Sequence, residues 1–189
     1  MDHEHDQPGT WRRRIGHPRE LWPRETEDLH PWLIENLDAL GGCLGIGRLE
    51  FTGREVLMGE QWTHTGQDGV DRVVGGLRLD LSARDRRGQV VVVEAQFGPA
   101  DHKHLGQLVT YAHAGQAAVA VWVVVDADPL FYTEHLTALA ELNEIFSGRR
   151  QFLVAALTLE SEPRATEVPL GALRPQLRRI DLVTGGTAQ

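Results

Sequence analysis

The fold is decided by one stretch of the chain, Leu79-Asp-Leu-Ser-Ala-Arg-Asp-Arg-Arg-Gly-Gln-Val-Val-Val-Val-Glu-Ala-Gln96. Between Gly76 and Asp85, leucine and alanine alternate with polar residues, a pattern typical of a strand with one apolar face. Arg86-Arg87-Gly88 indicates a turn, and Gln89–Phe97 reads as a second strand because it is nearly all valine before its polar end. The stretch therefore predicts a β-hairpin.

The turn determines which residues of the two strands face each other. If Gly88 closes a three-residue loop in the left-handed conformation, Asp85 pairs with Gln89. Counting back along antiparallel strands then places Asp80 directly opposite Glu94. Facing carboxylates, with Cβ atoms roughly 4.5–5.5 Å apart, repel each other and weaken a sheet unless a cation lies between them. The pair therefore predicts a site for Mg²⁺ or Mn²⁺, ions that prefer oxygen ligands.

Two residues next to Glu94 extend this site. The backbone carbonyl of Ala95 is a candidate third metal ligand. Gln96 lies two residues after Glu94, so strand alternation places both side chains on one face. A polar residue after a run of valines is costly to bury without a partner, which indicates that the strand ends in a cleft. The alternative is a hairpin whose polar face is simply solvated.

The remaining patterns predict helices and strands in alternation. A first helix is expected over Glu25–Leu40 with a stop at Gly41-Gly42, then short strands at Arg48–Phe51 and Glu55–Met58 and a polar loop at Gly59–Asp71. The later elements are a helix from Asp101 to His113, a strand at Ala118–Val125, a helix at Tyr132–Phe146 and a strand at Gln151–Leu159. This order predicts an α/β fold with a mixed central sheet flanked by helices, in which a right-handed crossover joins the Glu94 strand to the next.

Length and composition indicate a single folded domain with loose ends. The 189 residues are 41% hydrophobic and carry a formal net charge of −8, which disfavours non-specific coating of DNA. We expect a flexible arm over residues 1–19, one domain over 20–160 and an irregular extension or tail over 161–189. Cys43 is the single cysteine, so no internal disulfide forms. No apolar stretch fits a signal peptide or a membrane span, so a cytoplasmic protein without a membrane partner is expected.

Two helices add candidate site residues. In the helix after the hairpin, His104, Gln107 and Tyr111 stand at i, i+3 and i+7 and share one face, where polar groups can contact phosphate. In the first helix, Glu25 lies four residues before Leu29 and extends its apolar stripe, which places a carboxylate on the core-facing side. For each residue taken alone, an ordinary amphipathic helix is the more common explanation.

These residues together resemble a known superfamily. Asp80, thirteen intervening residues and then Glu94-Ala95-Gln96 resemble the PD-(D/E)XK phosphodiesterase signature. Gln107-Leu-Val-Thr-Tyr111 matches the Gln-x-x-x-Tyr motif of its RecB-like branch. Three wider segments look like a group of uncharacterised bacterial proteins of this superfamily: Trp22–Asn36, Leu79–Tyr111 and Glu134–Asn143. The resemblance covers most of residues 20–160 and implies a restriction-endonuclease-like core.

The resemblance implies a metal-dependent nuclease acting on DNA, with RNA as an alternative substrate. Asp80 and Glu94 would bind the metal, Glu25 would complete the acidic site, and the metal would activate a water for attack on phosphorus. Gln107 and Tyr111 would steady the nucleic-acid backbone or the acidic site. A homodimer is also expected, because cutting both strands of a duplex usually needs two sites.

The chain departs from the family pattern at Gln96, where lysine is usual. A glutamine amide can orient the attacking water but contributes no charge, so lower activity or a replacement cation is expected. Lys103, the only lysine of the chain, is a candidate for that cation. The second hypothesis is therefore a catalytically silent nuclease fold that serves as a nucleic-acid-binding or assembly module.

A third hypothesis assigns a zinc site to three histidines near one helix, His102, His104 and His113, with Asp101 as a further ligand. His102 and His104 are two residues apart and do not share a helix face. Zinc ligands on a helix need a spacing of three or four, so the pattern disfavours this hypothesis.

Overall fold

The computed structural model describes residues 18–65, 71–125, 133–160 and 174–183, and the predicted arm falls almost wholly outside them. The strands are β1 Glu50–Thr65, β2 Asp71–Arg84, β3 Val90–Phe97, β4 Val119–Val125, β5 Gln151–Glu160 and β6 Arg174–Ile180. The helices are α1 Pro18–Leu21, a π-helical segment Glu25–Leu29, α2 His30–Glu35, α3 Leu37–Leu44, α4 His102–Ala114 and α5 Thr133–Ile145.

The six strands form one mixed sheet in the order β1-β2-β3-β4-β5-β6. β3, β4 and β5 run parallel, whereas β1, β2 and β6 join by antiparallel pairing. All seven residues of β4 are buried, as expected for a parallel strand covered on both faces. This architecture confirms the predicted α/β fold with a mixed central sheet flanked by helices.

Helices cover both faces of the sheet. On one face, Leu29, Leu33 and other residues of the N-terminal helices pack against alternate valines of β3 and β4. On the opposite face, Leu108 of α4 and Leu139 of α5 pack against the intervening residues of the same strands. None of the helices in the described ranges is long and apolar enough to cross a membrane.

The N-terminal helix differs from the prediction of one continuous helix over Glu25–Leu40. The chain forms a π-helical segment, then α2, then α3, with a break at Asn36, whose side-chain amide donates to the carbonyl of Trp32 at 2.8 Å. The predicted stop at Gly41-Gly42 is wrong, since α3 continues to Leu44 and ends at Gly45, which has a φ of 75°. The apolar stripe is buried as predicted, at Leu29, Leu33, Leu37 and Leu40.

Gly41 has a packing role inside α3. A Cβ atom at this position would lie 1.9 Å from the carbonyl oxygen of Gly47, so the loop after the helix folds directly against it. No such obstacle surrounds Gly42, where an added Cβ would meet nothing within 4 Å. Close packing therefore requires a glycine at Gly41 but not at Gly42.

The polar loop predicted at Gly59–Asp71 is also wrong over most of its length. β1 continues to Thr65 and β2 begins at Asp71, so residues 59–65 and Asp71 lie in antiparallel strands, while 66–70 lie outside the described residues. Within the described residues, β2 pairs with β3 from Leu81 to Arg84, and its earlier part pairs with β1 alone. We call this two-stranded part of β1 and β2 the ribbon. A ribbon of two strands needs no continuous apolar face, which explains why the sequence pattern indicated a loop.

The region beyond Glu160 was expected to be irregular, yet it contains β6, which pairs antiparallel with β5 along its whole length. β6 is an edge strand with three arginines, Arg174, Arg178 and Arg179. Charged residues are a common way to protect an exposed sheet edge, and they hide the strand from a search for apolar alternation.

The single apolar face predicted for β2 is divided in the structure. Leu77 and Leu79 pack with α4 on one side of the sheet, whereas Leu81 and Ala83 pack with the N-terminal helices on the other. The change of face occurs at Asp80, between the two halves. Strict alternation therefore fails at the residue that carries the predicted chemistry.

Candidate functional site

The hairpin between β2 and β3 has the predicted register. Arg84 pairs with Val90 and Leu81 with Val93, and the N–H of Asp85 donates to the carbonyl of Gln89 at 3.0 Å. Continuing this register by one residue brings Asp80 level with Glu94. The regular ladder ends at that point, so we call the place where β2 leaves β3 the fork.

At the fork, the side chain of Asp80, and not its backbone, is hydrogen-bonded to the backbone of β3. Its Oδ2 accepts a hydrogen bond from the backbone N–H of Ala95 at 2.9 Å. The N–H and the carbonyl of a residue in a strand project toward the same neighbour. The carbonyl of Ala95 therefore faces the same opening as the Asp80 carboxylate, as a metal ligand would need to.

Glu94 is the most unusual residue of the fork. Only 2% of it is exposed, and its Oε2 has no hydrogen-bond partner among the described residues. Burial, followed by the negative charges of Asp80 and Glu25, raises the pKa of Glu94 to about 9. Burial also raises the pKa of Asp80 to about 7, although the hydrogen bond from Ala95 opposes this shift. The two carboxyl groups therefore share a proton near neutral pH.

Glu25 reaches the same cluster from the π-helical segment. The backbone N–H of Phe97, two residues beyond Ala95 on the same strand, approaches its carboxylate and acts to lower its pKa. Burial raises the pKa of Glu25, and its charge contributes to the raised pKa of both Asp80 and Glu94. The structure thus brings the three predicted acidic residues together.

His30 lies beside the acidic cluster and was not predicted. The residue is 1% exposed, and neither ring nitrogen has a hydrogen-bond partner in the part of the chain that the structure describes. Nδ1 is 3.5 Å from Oε1 of Glu55, and Nε2 is 3.9 Å from Oδ2 of Asp80. Burial lowers the pKa of His30, while the charge of Glu55 acts in the opposite direction. The lowered pKa favours the uncharged form of the ring, which lies between the carboxyl groups of Glu55 and Asp80.

Glu55 reaches this place through an irregular point of the ribbon. It lies between the pairs Arg54–Leu81 and Val56–Leu79, which puts it level with Asp80 across the strands. Its φ is 53°, in the left-handed region that side chains other than glycine rarely adopt. One donor atom each from His30, Glu55 and Asp80 lies within 4.8 Å of the others.

Of His30 and Glu55, only His30 could have been identified from the sequence. His30, Leu33 and Leu37 stand at i, i+3 and i+7, so the same periodicity that identified the apolar stripe places His30 on the buried face. No local pattern indicates Glu55. Its position opposite Asp80 depends on a register shift between Phe51 and Gly53, which sequence periodicity does not reveal.

The predicted face of α4 is turned toward the acidic cluster. The side chain of Gln107 donates to the hydroxyl of Tyr111 at 3.1 Å, and its Oε1 is buried without a partner among the described residues. Burial and then the charge of Glu94 raise the pKa of Tyr111, which places its ring near the acids. The charge of the exposed Lys103 acts to lower the pKa of Glu94, so this cation also faces the cluster.

His104 is held at the start of α4. Asp101 caps the helix as predicted, accepting from the backbone N–H of His104 at 2.9 Å, and its Oδ2 lies 2.8 Å from Nδ1 of the same histidine. The charge of His104 acts to lower the pKa of Glu25, so its ring is also close to the acidic cluster.

Gln96 is engaged inside the protein. Its amide nitrogen donates to the carbonyl of Pro99 at 2.6 Å, and its oxygen accepts from Nε1 of Trp122 at 2.9 Å. The residue is 1% exposed. One further N–H and one further lone pair of the amide remain, but burial leaves them little access to solvent water.

The three histidines of the zinc hypothesis do not converge. Nδ1 of His102 is 2.7 Å from Nε2 of His135, His104 binds Asp101, and His113 is exposed at the other end of α4. These contacts explain the histidines of α4 without a metal.

No family model matches this chain, and no curated protein matches it. Among solved structures, it is similar to a repair endonuclease from Pyrococcus abyssi, at 16% sequence identity and a TM-score of 0.40. The similarity covers 66% of this chain and 43% of that one, so the present chain corresponds to less than half of the endonuclease. Similarity at this level assigns no function, so a functional assignment has to rest on the geometry of the site.

Proposed function

We propose that the protein is a metal-dependent nuclease that hydrolyses phosphodiester bonds of DNA. Glu94 carries the proposal, because a carboxyl group that is 2% exposed, with an unpartnered oxygen and two carboxylates beside it, is costly in any protein. A divalent cation removes that cost. Clusters of carboxyl groups with raised pKa values occur at functional sites, and a metal ion bound there can catalyse phosphate hydrolysis.

The donor set fits Mg²⁺ or Mn²⁺. Asp80 and Glu94 would supply carboxylate oxygens, and the carbonyl of Ala95 faces the same opening. A bound ion would supply Lewis-acid activation of the phosphate and of a water molecule.

The surrounding side chains would bind and orient the substrate. Glu25, whose carboxylate lies near the N–H of Phe97, would position the attacking water and accept its proton. Lys103 would provide the positive charge that the family draws from a lysine on the strand. His104, Gln107 and Tyr111 line the α4 side of the cluster and would contact the nucleic-acid backbone.

A catalytically silent module remains the second candidate, and the contacts of Gln96 favour it. Both polar ends of its amide are bound to protein groups, and the residue brings no charge to the fork. Such a module would bind DNA, or RNA, without cutting it, or would assemble with another protein. The intact acidic cluster favours the nuclease, since a structural domain gains nothing from buried carboxylates that repel one another.

The test is cleavage of end-labelled single-stranded, duplex and flap DNA, and of RNA, with Mg²⁺, with Mn²⁺ and with chelator. Asp80→Asn and Glu94→Gln should abolish metal-dependent cleavage, while Glu141→Gln, at an exposed position of α5, should cut as the wild type does. Binding without cleavage by the wild type would support the silent module instead. Analytical ultracentrifugation of the same samples tests the expected homodimer. We also propose a cytoplasmic location.

A further inference from the structure

We propose that His30, Glu55 and Asp80 form a subsite for a transition-metal ion that adjoins the Asp80–Glu94 pair. This inference rests on the proposed function only in sharing Asp80. It adds a nitrogen ligand and a residue of β1 to a site whose predicted ligands are all oxygen atoms on β2 and β3.

The first argument is the unpartnered imidazole. A neutral histidine has one donor and one acceptor nitrogen, and both are buried here without a hydrogen bond among the described residues. Each buried polar group left unsatisfied weakens the folded state. A leucine of similar size would fill the same space between α2 and the fork without that cost. The histidine is explained if one of its nitrogens binds a ligand.

The second argument is the geometry of the neighbouring carboxylates. Ligands that surround an ion at about 2.1 Å stand roughly 3–3.5 Å from one another. His30 lies 3.5 Å from Glu55 and 3.9 Å from Asp80, so small side-chain rotations would close the three groups around an ion. Glu55 is 25% exposed, which leaves a path from solvent for the ion.

The third argument concerns the kind of metal. Carboxylate and carbonyl oxygens suit Mg²⁺, whereas imidazole nitrogen suits ions such as Fe²⁺ and Zn²⁺; Mn²⁺ prefers oxygen ligands but belongs to the same transition-metal series. A set of one nitrogen and two carboxylates should therefore prefer a transition metal to Mg²⁺. The subsite would make the protein respond to the type of divalent ion available, not only to its concentration.

The deciding measurement is pulsed electron paramagnetic resonance of Mn²⁺ bound to the full chain, in which a directly coordinated ¹⁴N is identified by the size of its hyperfine coupling. We expect ¹⁴N modulation in the wild type, its loss in His30→Leu, and its retention in His113→Leu, the matched change at an exposed histidine of α4. Glu55→Gln should weaken Mn²⁺ binding in calorimetry at least tenfold. Glu94→Gln should keep the ¹⁴N signal, because the subsite does not include Glu94.

Thermal unfolding keeps the result interpretable. Metal-free His30→Leu should be at least as stable as the wild type, because it removes two unsatisfied polar atoms from the core. It should lose the stabilisation that Mn²⁺ gives the wild type. If His30→Leu fails to fold, Glu55→Gln alone decides, and unchanged Mn²⁺ affinity in that variant would overturn the proposal.

Three other outcomes would overturn the subsite: no ¹⁴N signal in the wild type, a signal that persists in folded His30→Leu, or a signal lost in Glu94→Gln. The outcome of these measurements is independent of the outcome of the cleavage assay. A nitrogen signal in a protein that cuts nothing would leave the subsite standing and defeat the nuclease. Cleavage without a nitrogen signal would do the reverse.

Discussion

The side chain of Glu94 lies beside the carboxyl group of Asp80, across the point where β2 leaves β3. Burial raises the pKa of both groups, so the pair holds a proton at a pH where ordinary carboxyl groups are ionised. The energetic consequences of this shared proton can be measured without any knowledge of the substrate.

The stability of the metal-free protein should fall as the pH rises. Both carboxyl groups have a raised pKa in the folded state, about 7 for Asp80 and about 9 for Glu94, so the folded state binds more protons than the unfolded one above about pH 4. Their stabilising contribution is complete below the ordinary pKa and is lost as the pH passes the raised values. Thermal unfolding from about pH 5 to about pH 9 should show a falling Tm, by about 2–4 °C for each kcal/mol lost.

Glu94→Gln should flatten this pH profile, because the amide does not titrate. Glu141→Gln, on the exposed side of α5, is the matched control and should leave the slope unchanged. A wild-type Tm that stays constant or rises over this range would contradict the buried, proton-sharing pair.

Added metal should oppose the loss of stability at high pH. A divalent ion binds the deprotonated carboxylates of Asp80 and Glu94 and so competes with their protons. Mn²⁺ should therefore raise the Tm more at about pH 8 than at about pH 6, and a chelator should remove the difference. Equal stabilisation at both pH values would indicate binding somewhere other than the fork.

Gln96→Leu should destabilise the protein even if Gln96 takes no part in catalysis. The change removes the hydrogen bonds of a buried amide with Pro99 and Trp122, and a loss of about 1–3 kcal/mol in the free energy of unfolding is expected. Gln89→Leu, at an exposed position of the hairpin, should change stability by less than about 0.5 kcal/mol. Chemical denaturation of both variants measures the difference, and equal stabilities would show that the amide is not held as described.

Two neighbouring glycines of α3 should respond in opposite ways to alanine. Gly41→Ala would place a methyl group against the carbonyl oxygen of Gly47, so a loss of several kcal/mol is expected unless the loop moves. Gly42→Ala meets nothing within 4 Å and should stabilise the helix by about 0.5–1 kcal/mol. Urea unfolding of the pair provides its own control, and two variants of equal stability would contradict the close packing at Gly41.

The parts of the fold that short-range patterns determine were predictable from the sequence. The turn at Gly88 determined the register of β2 and β3, and the Asp101 cap defined the start of α4. Continuous valine identified β3 and β4 as the buried centre of the sheet. These features depend on local periodicity and turn chemistry, which a single sequence records directly.

Other parts depend on contacts between distant segments. The ribbon continues through polar residues because β1 and β2 satisfy each other's backbone, and β6 is stabilised by pairing with β5 despite its arginines. The π-helical segment and the strained φ of Glu55 bring Glu25, His30 and Glu55 to the fork. The ribbon, β6 and the strained φ of Glu55 have no short-range signature in the sequence, which is why Glu55 was missed. His30 was also missed, although helical periodicity placed it on the buried face.

The fork also divides the acidic cluster mechanically. Glu55 and Asp80 are carried by the ribbon, whereas Glu94 and Ala95 belong to the well-packed centre of the sheet. Any displacement of the ribbon moves the first two residues as a unit relative to the second two. The distances between these ligands therefore depend on the angle between the ribbon and the sheet. A partner that binds the ribbon far from the cluster and changes this angle would change whether an ion can be held.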